Sequence, residues 1–522
     1  MRLHDFSDYY ARENPDSGFS IFNGSTLTYK EANEQINRLA NAFTDIGLQK
    51  GDRFAVLSKN STEYVLIYYA ASKAGVVPIP MNYRLSPAEW VYIINDSQAK
   101  LLMAADEYLV AMDGVRSELE TVGSFVSIGD SGSTGWDNYQ SWVDGQPTTA
   151  CDRFISPDDD LFHQMYTSGT TGHPKGVVLT HRSVVANVIQ CIPQLKSGLE
   201  QRFLIVAPPY HAAASFCSFC CVSQGGCLYI FEEFNPGEVV RALDEEQINH
   251  ALLVPAMVQA CLVAASNGEE RRYTNLEYIA YGASAIAEET LSRAMDTFKC
   301  DFIQAFGMTE LSPVATLMSP DDHRRALDSK PELLLSAGRA VMGSEVRVVD
   351  EDDNPVPVGT MGEIVVRGPQ VMKGYGNLPE ETAKAIRDGW MHTGDAGALD
   401  DEGFLYIQDR IKDMIVSGGE NIYPRMIEEV LFKHPAIADA AVIGVPNDQW
   451  GETVKAIVQL REGASVTEVD IIEFCRGPLG GFERPTSVDF IDSLPRNASG
   501  KVLKRELREP YWVGQSRRVA GS

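Results

Sequence analysis

The chain has 522 residues, with 72 Asp and Glu against 45 Lys and Arg, a formal net charge of −27. Apolar residues at 44% and charged residues at 22% are an ordinary globular balance, which sets aside disorder, collagen and coiled coil, and the length corresponds to about three compact units. So acidic a chain repels phosphate polyanions at long range. Capture of DNA or RNA is excluded on that ground, and any phosphate ligand must be held by local groups.

Strand and helix alternate from the start. Thr28-Tyr29-Lys30-Glu31 has capping-box spacing, and Ala32, Ile36, Leu39, Ala40 and Phe43 follow at helical intervals until Gly47 offers a stop. Phe54 to Leu57 reads as a buried strand, Tyr64 to Ala74 as a helix and Val76 to Pro80 as a strand, the pattern of a parallel sheet covered by helices. Ile128 to Ala150 is rich in Gly, Ser, Thr and Asp and reads as a surface excursion anchored by Trp136 and Trp142. Further βα units are expected around Leu204 to Ala207, Cys227 to Phe231, Ala251 to Val254 and Tyr278 to Tyr281.

From Ser344 the pattern changes. Val346 and Val348 alternate with polar residues, Asp350 to Gly359 is rich in turn formers, and Glu363 to Arg367 is a strand, which together predict an antiparallel subdomain. After Arg410 strands near Ala440 to Ile443, Val454 to Leu460 and Val488 to Ile491, with a helix near Glu468 to Cys475, predict a small α+β domain. The expected fold is therefore α/β: a large N-terminal domain of stacked βα sheets plus an antiparallel β subdomain over residues 1–411, and a C-terminal domain over 412–522. There is no internal repeat and no low-complexity tract.

The nine cysteines have no regular spacing, and the single CxxC at Cys217 and Cys220 has no companion pair, so reduced thiols packed as small hydrophobes in Phe216 to Val222 are expected rather than a zinc or redox site. The N-terminus lacks an apolar run behind a basic start, and Tyr64 to Ala71 is too short to cross a bilayer. No membrane span and a cytoplasmic location are expected.

The richest chemistry lies in Tyr166-Thr167-Ser168-Gly169-Thr170-Thr171-Gly172-His173-Pro174-Lys175-Gly176. Glycines let backbone N–H groups approach oxygen, hydroxyls add donors, and a lysine supplies a point charge, which suits phosphate. It is not a Walker A loop, because Pro174 stands where the second glycine of GxxxxGK belongs. Taken alone, the segment also reads as a Gly/Ser/Thr surface loop with no ligand.

Together with the motifs downstream, this segment resembles the phosphate loop of the adenylate-forming superfamily: acyl-CoA synthetases, adenylation domains and luciferases. Tyr281-Gly282-Ala283-Ser284, Gln304-Ala305-Phe306-Gly307-Met308-Thr309-Glu310, Gly389 to Asp395, Asp409-Arg410-Ile411-Lys412-Asp413 and Pro495 to Lys501 follow in the order of that family's signatures. The resemblance runs from about Thr28 to Leu507 and is nearest to the AMP-forming acyl-CoA synthetases.

It implies two half-reactions: attack of a carboxylate on the α-phosphorus of ATP, releasing pyrophosphate, then attack of the CoA thiol on the acyl carbon. Glu310 would hold Mg²⁺, Thr309 the α-phosphate, and the ATP site would comprise Thr167, Ser168, Gly169, Thr170, Thr171, Gly172, Lys175, Gly282, Ala283, Phe306, Gly307, Asp395 and Arg410, the last two on the ribose hydroxyls. Phe306 stands where the family usually carries Tyr, and its aromatic face still suits adenine. Lys501 would sit between carboxylate and α-phosphate. Lys412 would be the hinge of a mobile C-terminal domain, whose other face brings Gly418 and Gly419 to the CoA tunnel.

The resemblance places the acyl pocket at Tyr210, His211, Ala214, Ser215 and Tyr281, with His211 as its gate. No acidic residue lies between Pro208 and Gly226 to pair a substrate ammonium, so an apolar carboxylic acid is expected, aliphatic or aromatic. Ligases that load carrier proteins are the alternative; the insertion typical of their large domain is not evident here, which favours CoA. The partners expected are thus a small carboxylic acid, ATP and CoA, with a homodimer left open.

Overall fold

The computed structural model describes residues 1–129, 133–151, 159–167, 174–268, 271–282, 286, 288–418, 420–496 and 502–513. The chain forms two compact units, one of residues 1–346 with 366–391, the other of 347–365 with 392–522. The expected boundary at 411/412 lies inside the second of these.

In the first unit a parallel sheet orders Val77–Pro80, Arg53–Leu57, Leu101–Ala105, Ser124–Ile128 and Asp137–Asn138. Its central strands are almost wholly buried, as apolar runs covered on both faces must be. The helix Tyr29–Asp45 starts where its capping box predicts: the Glu31 N–H donates to Thr28 Oγ1 at 3.2 Å and the Thr28 N–H to Glu31 Oε2 at 2.9 Å. Its apolar face packs into the same core as Thr62–Ala74. The loop after Ile128 is pinned as expected: Trp136 is buried and donates from Nε1 to Asp113 at 2.9 Å, and Trp142 packs on Phe43. It also folds into a short helix, Tyr139–Asp144, that composition did not suggest.

A second, nine-stranded sheet is built on a parallel centre of Cys227–Ile230, Arg202–Ile205, Ile248–Leu252, Tyr278–Gly282 and Asp301–Gly307. The hairpin Gly18–Phe22 with Ser25–Thr28 completes one edge, through Ser20 against Leu228. Behind the sheet, Ala212–Ser223 is buried almost throughout, including Cys217, Cys220 and Cys221, which are free thiols. Burial raises all three, so they are inert hydrophobes. A third sheet joins Leu161–Thr167, Lys175–Thr180 and Gly374–Tyr375.

In the second unit, Leu405–Arg410 pairs antiparallel with Trp390–Leu399, and a sheet of Glu420–Ile422, Ile415–Ser417, Gly451–Leu460, Ile437–Asn447 and Ser487–Phe490 packs against Pro424–Leu431 and Glu468–Phe474 around its own core. The α/β class and the mixed sheets match expectation. Among the described residues no helix is long and apolar enough to cross a membrane.

The first unit also buries neutral histidines. Burial lowers His4 and His163 to about 3, and His181, His211, His250 and His323 to about 4. His323 illustrates the neutral form: Nδ1–H donates to the Ser319 carbonyl at 2.8 Å and Nε2 accepts from the Tyr281 hydroxyl at 3.0 Å. Unfolded, each would protonate near 6.5, so between pH 6.5 and 4 the unfolded chain binds protons that the native one refuses. Stability is therefore fully present above pH 6.5 and falls on acidification, by at most about 1.4 kcal/mol per pH unit per group. Urea midpoints should hold from pH 7.5 to about 6.5 and then drop steadily to pH 5, and a flat profile throughout would contradict this burial.

Candidate active site

The phosphate-loop flanks are set by a hairpin in which Thr167 and Lys175 are direct cross-strand partners. The turn residues Ser168, Gly169, Thr170, Thr171 and Gly172 lie outside the described residues. Gly176 follows because a Cβ there would stand 2.3 Å from Gln164 Nε2 and 3.0 Å from Tyr166 Cζ. Those two side chains are tied down: Gln164 donates to the Tyr166 hydroxyl at 3.0 Å and Tyr166 to Asp96 at 2.5 Å. Lys175 reaches Glu381 at 2.5 Å and lies 5.1 Å above the Tyr375 ring. Hydrogen bonds from Lys175 and Lys384 hold the Glu381 carboxyl down at about 2.

Gly282, Phe306, Gly307, Thr309 and Glu310 gather at the carboxyl ends of adjacent parallel strands, where open α/β sheets commonly bind ligands. Gly282 opposes Ala305, and a Cβ on it would meet the Ala305 carbonyl at 2.5 Å. At Gly307 the clash would be worse, 1.8 Å from the Pro313 carbonyl. Only glycine lets the chain double back here, from Asp301–Gly307 into Val314–Met318, with the turn Thr309–Leu311 between them. Glu310 on that turn is 6% exposed, and its Oε1 accepts from the Tyr375 hydroxyl at 2.9 Å. Phe306 is half-buried and packs against the core. Ala283 lies outside the described residues.

No cluster of three His, Cys, Asp or Glu able to hold a metal occurs among the described residues. Mg²⁺ takes one or two carboxylates and completes its shell with phosphate and water oxygens, so the buried carboxylate of Glu310 has the donor chemistry to fit it.

Tyr210, His211, Ala214 and Ser215 are brought together at the start of Ala212–Ser223. Tyr210 is buried and accepts from Arg84 at 3.3 Å. His211 is neutral, lowered to about 4 by burial and then by Arg84, and its buried Nε2 has no partner among the described residues. Tyr281 does not join them, contrary to expectation. Side chains alternate along a strand, and Tyr278, three positions earlier, faces Cys217, Cys220 and Cys221 of that helix. Tyr281 therefore points to the opposite face, where it packs on Phe302 and bonds His323. Tyr375, Glu381 and Arg84 were missed by sequence reasoning. For the first two the sequence held no clear signal, because Gly374–Tyr375 is a two-residue strand and Pro379–Ala385 a short helix.

In the second unit Asp395 and Arg410 are register partners, with Arg410 Nε 2.7 Å from Asp395 Oδ1. Arg410 also donates to the Thr393 carbonyl at 3.2 Å. Glu363 takes the Gly394 N–H at 3.0 Å where φ is +68°. Lys412 occupies a short turn whose carbonyl accepts from Arg508 at 3.4 Å. Gly418 is required by φ +62° and by the Trp450 ring, 2.8 Å from its would-be Cβ. Gly419 and Lys501 lie outside the described residues.

Three residues beyond Lys501, Lys504 bridges Asp409 at 3.3 Å and Glu428 at 2.9 Å. Burial opposes the charge on Lys504, yet the two carboxylates outweigh it and raise its pKa. Lys504→Met would leave both acids buried without a counter-charge, a loss of about 3–5 kcal/mol for a broken buried pair. Thermal and urea unfolding of the variant should show it; a change under 1 kcal/mol would mean the pair is solvated.

The profile of the AMP-binding enzyme family matches residues 8–376, and that of the AMP-binding enzyme C-terminal domain matches residues 426–501. A fatty acid–[acyl-carrier-protein] ligase of Streptomyces coeruleorubidus is 35% identical over 98% of this chain and 97% of its own length. A feruloyl-CoA synthase of an Amycolatopsis species is 35% identical over 96% of this chain and 97% of its own. The ATP-bound structure of MatB from Rhodopseudomonas palustris superposes with a TM-score of 0.87 at 28% identity, covering 98% of this chain and 99% of that one. The chain belongs to the adenylate-forming superfamily of AMP-binding enzymes, alongside the AMP-forming acyl-CoA ligases.

Proposed function

We propose that this protein activates an apolar carboxylic acid with ATP, forming acyl-AMP and pyrophosphate, and passes the acyl group to CoA as a thioester. The observation that carries the reading is the assembly of Gly282, Phe306, Gly307, Thr309 and Glu310 at neighbouring strand ends of one sheet. Phe306 offers an aromatic face to adenine, Thr309 a hydroxyl to the α-phosphate, and the Thr167 to Lys175 turn its N–H groups and ammonium to the other phosphates. Asp395 and Arg410 give an acceptor and a donor for the ribose diol. Glu310 would hold Mg²⁺, which when bound supplies charge neutralisation between phosphate oxygens. Lys501 would supply its charge where the carboxylate oxygen meets phosphorus, and Lys412 would serve as the hinge that exchanges Lys501 for Gly418 and Gly419 before the thiol attacks. The work is done on small molecules in the cytoplasm.

The acid is apolar because the helix behind Tyr210 and His211 carries no carboxylate and a neutral imidazole. Fatty and aryl acids both remain, since the relatives named above act on each. The first of them uses a carrier protein, which keeps carrier loading as the second reading. Purified enzyme should convert ATP to AMP and pyrophosphate only with an acid and a divalent cation, across a panel from acetate to palmitate and cinnamates. ADP and phosphate as products would refute adenylation. Transfer to a carrier arm but not to free CoA would decide for the second reading.

Lys501→Ala removes a charge needed where two anions meet, a loss of about 2–4 kcal/mol or roughly a hundredfold or more in the adenylation rate. Supplied with synthetic acyl-AMP and CoA, the same variant should make thioester near the parent rate. Equal losses in both half-reactions would end the two-pose account of Lys412.

A further inference from the structure

Three chain segments that are far apart in sequence meet at Tyr375. Its backbone is fixed by the ladder to Lys175–Thr180: Tyr375 pairs with Val177, the Gly376 N–H donates to the Gly176 carbonyl at 2.8 Å, and the Lys373 N–H to the Val178 carbonyl at 3.0 Å. On the other side the Met372 N–H donates to the Glu310 carbonyl at 2.8 Å. The Tyr375 N–H itself goes to Thr382 Oγ1 at 2.9 Å, which ties it to the helix bearing Glu381. From this fixed point the hydroxyl reaches Glu310 Oε1 at 2.9 Å, while the ring lies 5.1 Å below Lys175 Nζ. One side chain thus touches both the carboxylate and the ammonium that the proposed function directs toward the phosphates.

We propose that Tyr375 is a positioning residue for adenylation, which orients the Glu310 carboxylate for its metal and backs the Lys175 ammonium, acting through both and touching no substrate. This rests on the reading of Glu310 as the metal donor. A carboxylate on a short turn can rotate, and the phenol bonded to Oε1 fixes the orientation in which it meets a cation. The ring gives the Lys175 ammonium a π face, a partner that stays in place when Lys175 exchanges Glu381 for phosphate oxygens.

Tyr375→Phe keeps the ring and removes only the hydroxyl. Half-saturating Mg²⁺ for acid-dependent ATP–pyrophosphate exchange should rise about tenfold, the scale of losing an outer partner of a metal ligand. Mn²⁺ binding in the presence of a nonhydrolysable ATP analogue, read from the free-ion EPR signal, should weaken by the same factor with Tm unchanged. In a Glu310→Gln background the change should have no further effect. Unaltered metal dependence in the single variant, or an additive loss in that background, overturns the assignment. Tyr375→His, which retains a ring donor, guards against a folding defect: equal falls in Tm and in Mn²⁺ binding for both variants would make Tyr375 merely structural. A parent enzyme without acid-dependent exchange would remove the adenylation reading, and the Mn²⁺ measurement would still decide the role of Tyr375.

Discussion

Adenylation brings a carboxylate onto the phosphorus of a polyanion, and this chain must do so while carrying a net charge of −27. Its long-range field opposes both substrates, but exposed charges are screened beyond about 8 Å at physiological salt, so the outcome is decided by the few cations within reach. In the first unit the cation that the proposed function directs to phosphate, Lys175, is already held by Glu381 at 2.5 Å. Pairing keeps it in a defined place on an acidic surface. On that proposal, binding nucleotide would be an exchange of partners, in which Lys175 gives up one anion for another.

The exchange needs backbone placed closer than side chains allow. Gly176, Gly282 and Gly307 each sit where a Cβ would come within 2.5 Å of a neighbour. At Gly282 and Gly307 that neighbour is backbone, the carbonyls of Ala305 and Pro313, which cannot step aside. These contacts let strand ends and turns stack tightly enough for Phe306, Thr309 and Glu310 to share one rim of the sheet. Tyr375 then links that rim to the strand that begins at Lys175. The polar side chains of this rim therefore stand on a rigid frame.

Much of this was legible in the sequence because it is local. Capping boxes, periodicity and turn residues located the helix at Tyr29–Asp45 and the strands Arg53–Leu57, Val77–Pro80, Arg202–Ile205, Cys227–Ile230, Ile248–Leu252 and Tyr278–Gly282 to within one to three residues, while Leu101–Ala105, Ser124–Ile128 and Asp301–Gly307 were not anticipated. Gly307, the one glycine of Gln304 to Glu310, was visible in a motif, although its reason, a carbonyl 1.8 Å from a missing Cβ, exists only once Val314–Met318 folds back. What stayed hidden depends on pairing between distant segments. The two residues Gly374–Tyr375 are too short a strand to read, and their ladder to Lys175–Thr180 spans some 200 positions of chain. Tyr281 was misread for a related reason: its position beside a motif glycine says nothing of which face of the strand it occupies, and the register with Tyr278 decides that it looks away from the helix Ala212–Ser223.

That helix also bears on how an acid must lie. A carboxylate placed against Ala214, Phe216 and Cys217 would face apolar side chains and, at His211, a neutral imidazole that offers one N–H and no charge to replace its water. An alkyl or aryl tail placed there loses nothing and gains about 25 cal/mol for each Å² of apolar surface it withdraws from water. The same surface that rejects the charged end thus attracts the tail. With the tail on the helix, the carboxylate is left at the polar rim, the side on which an ammonium and a phosphorus can meet it. On the proposed function, desolvation would then orient the substrate, in keeping with the absence of Asp, Glu, Lys and Arg between Pro208 and Gly226.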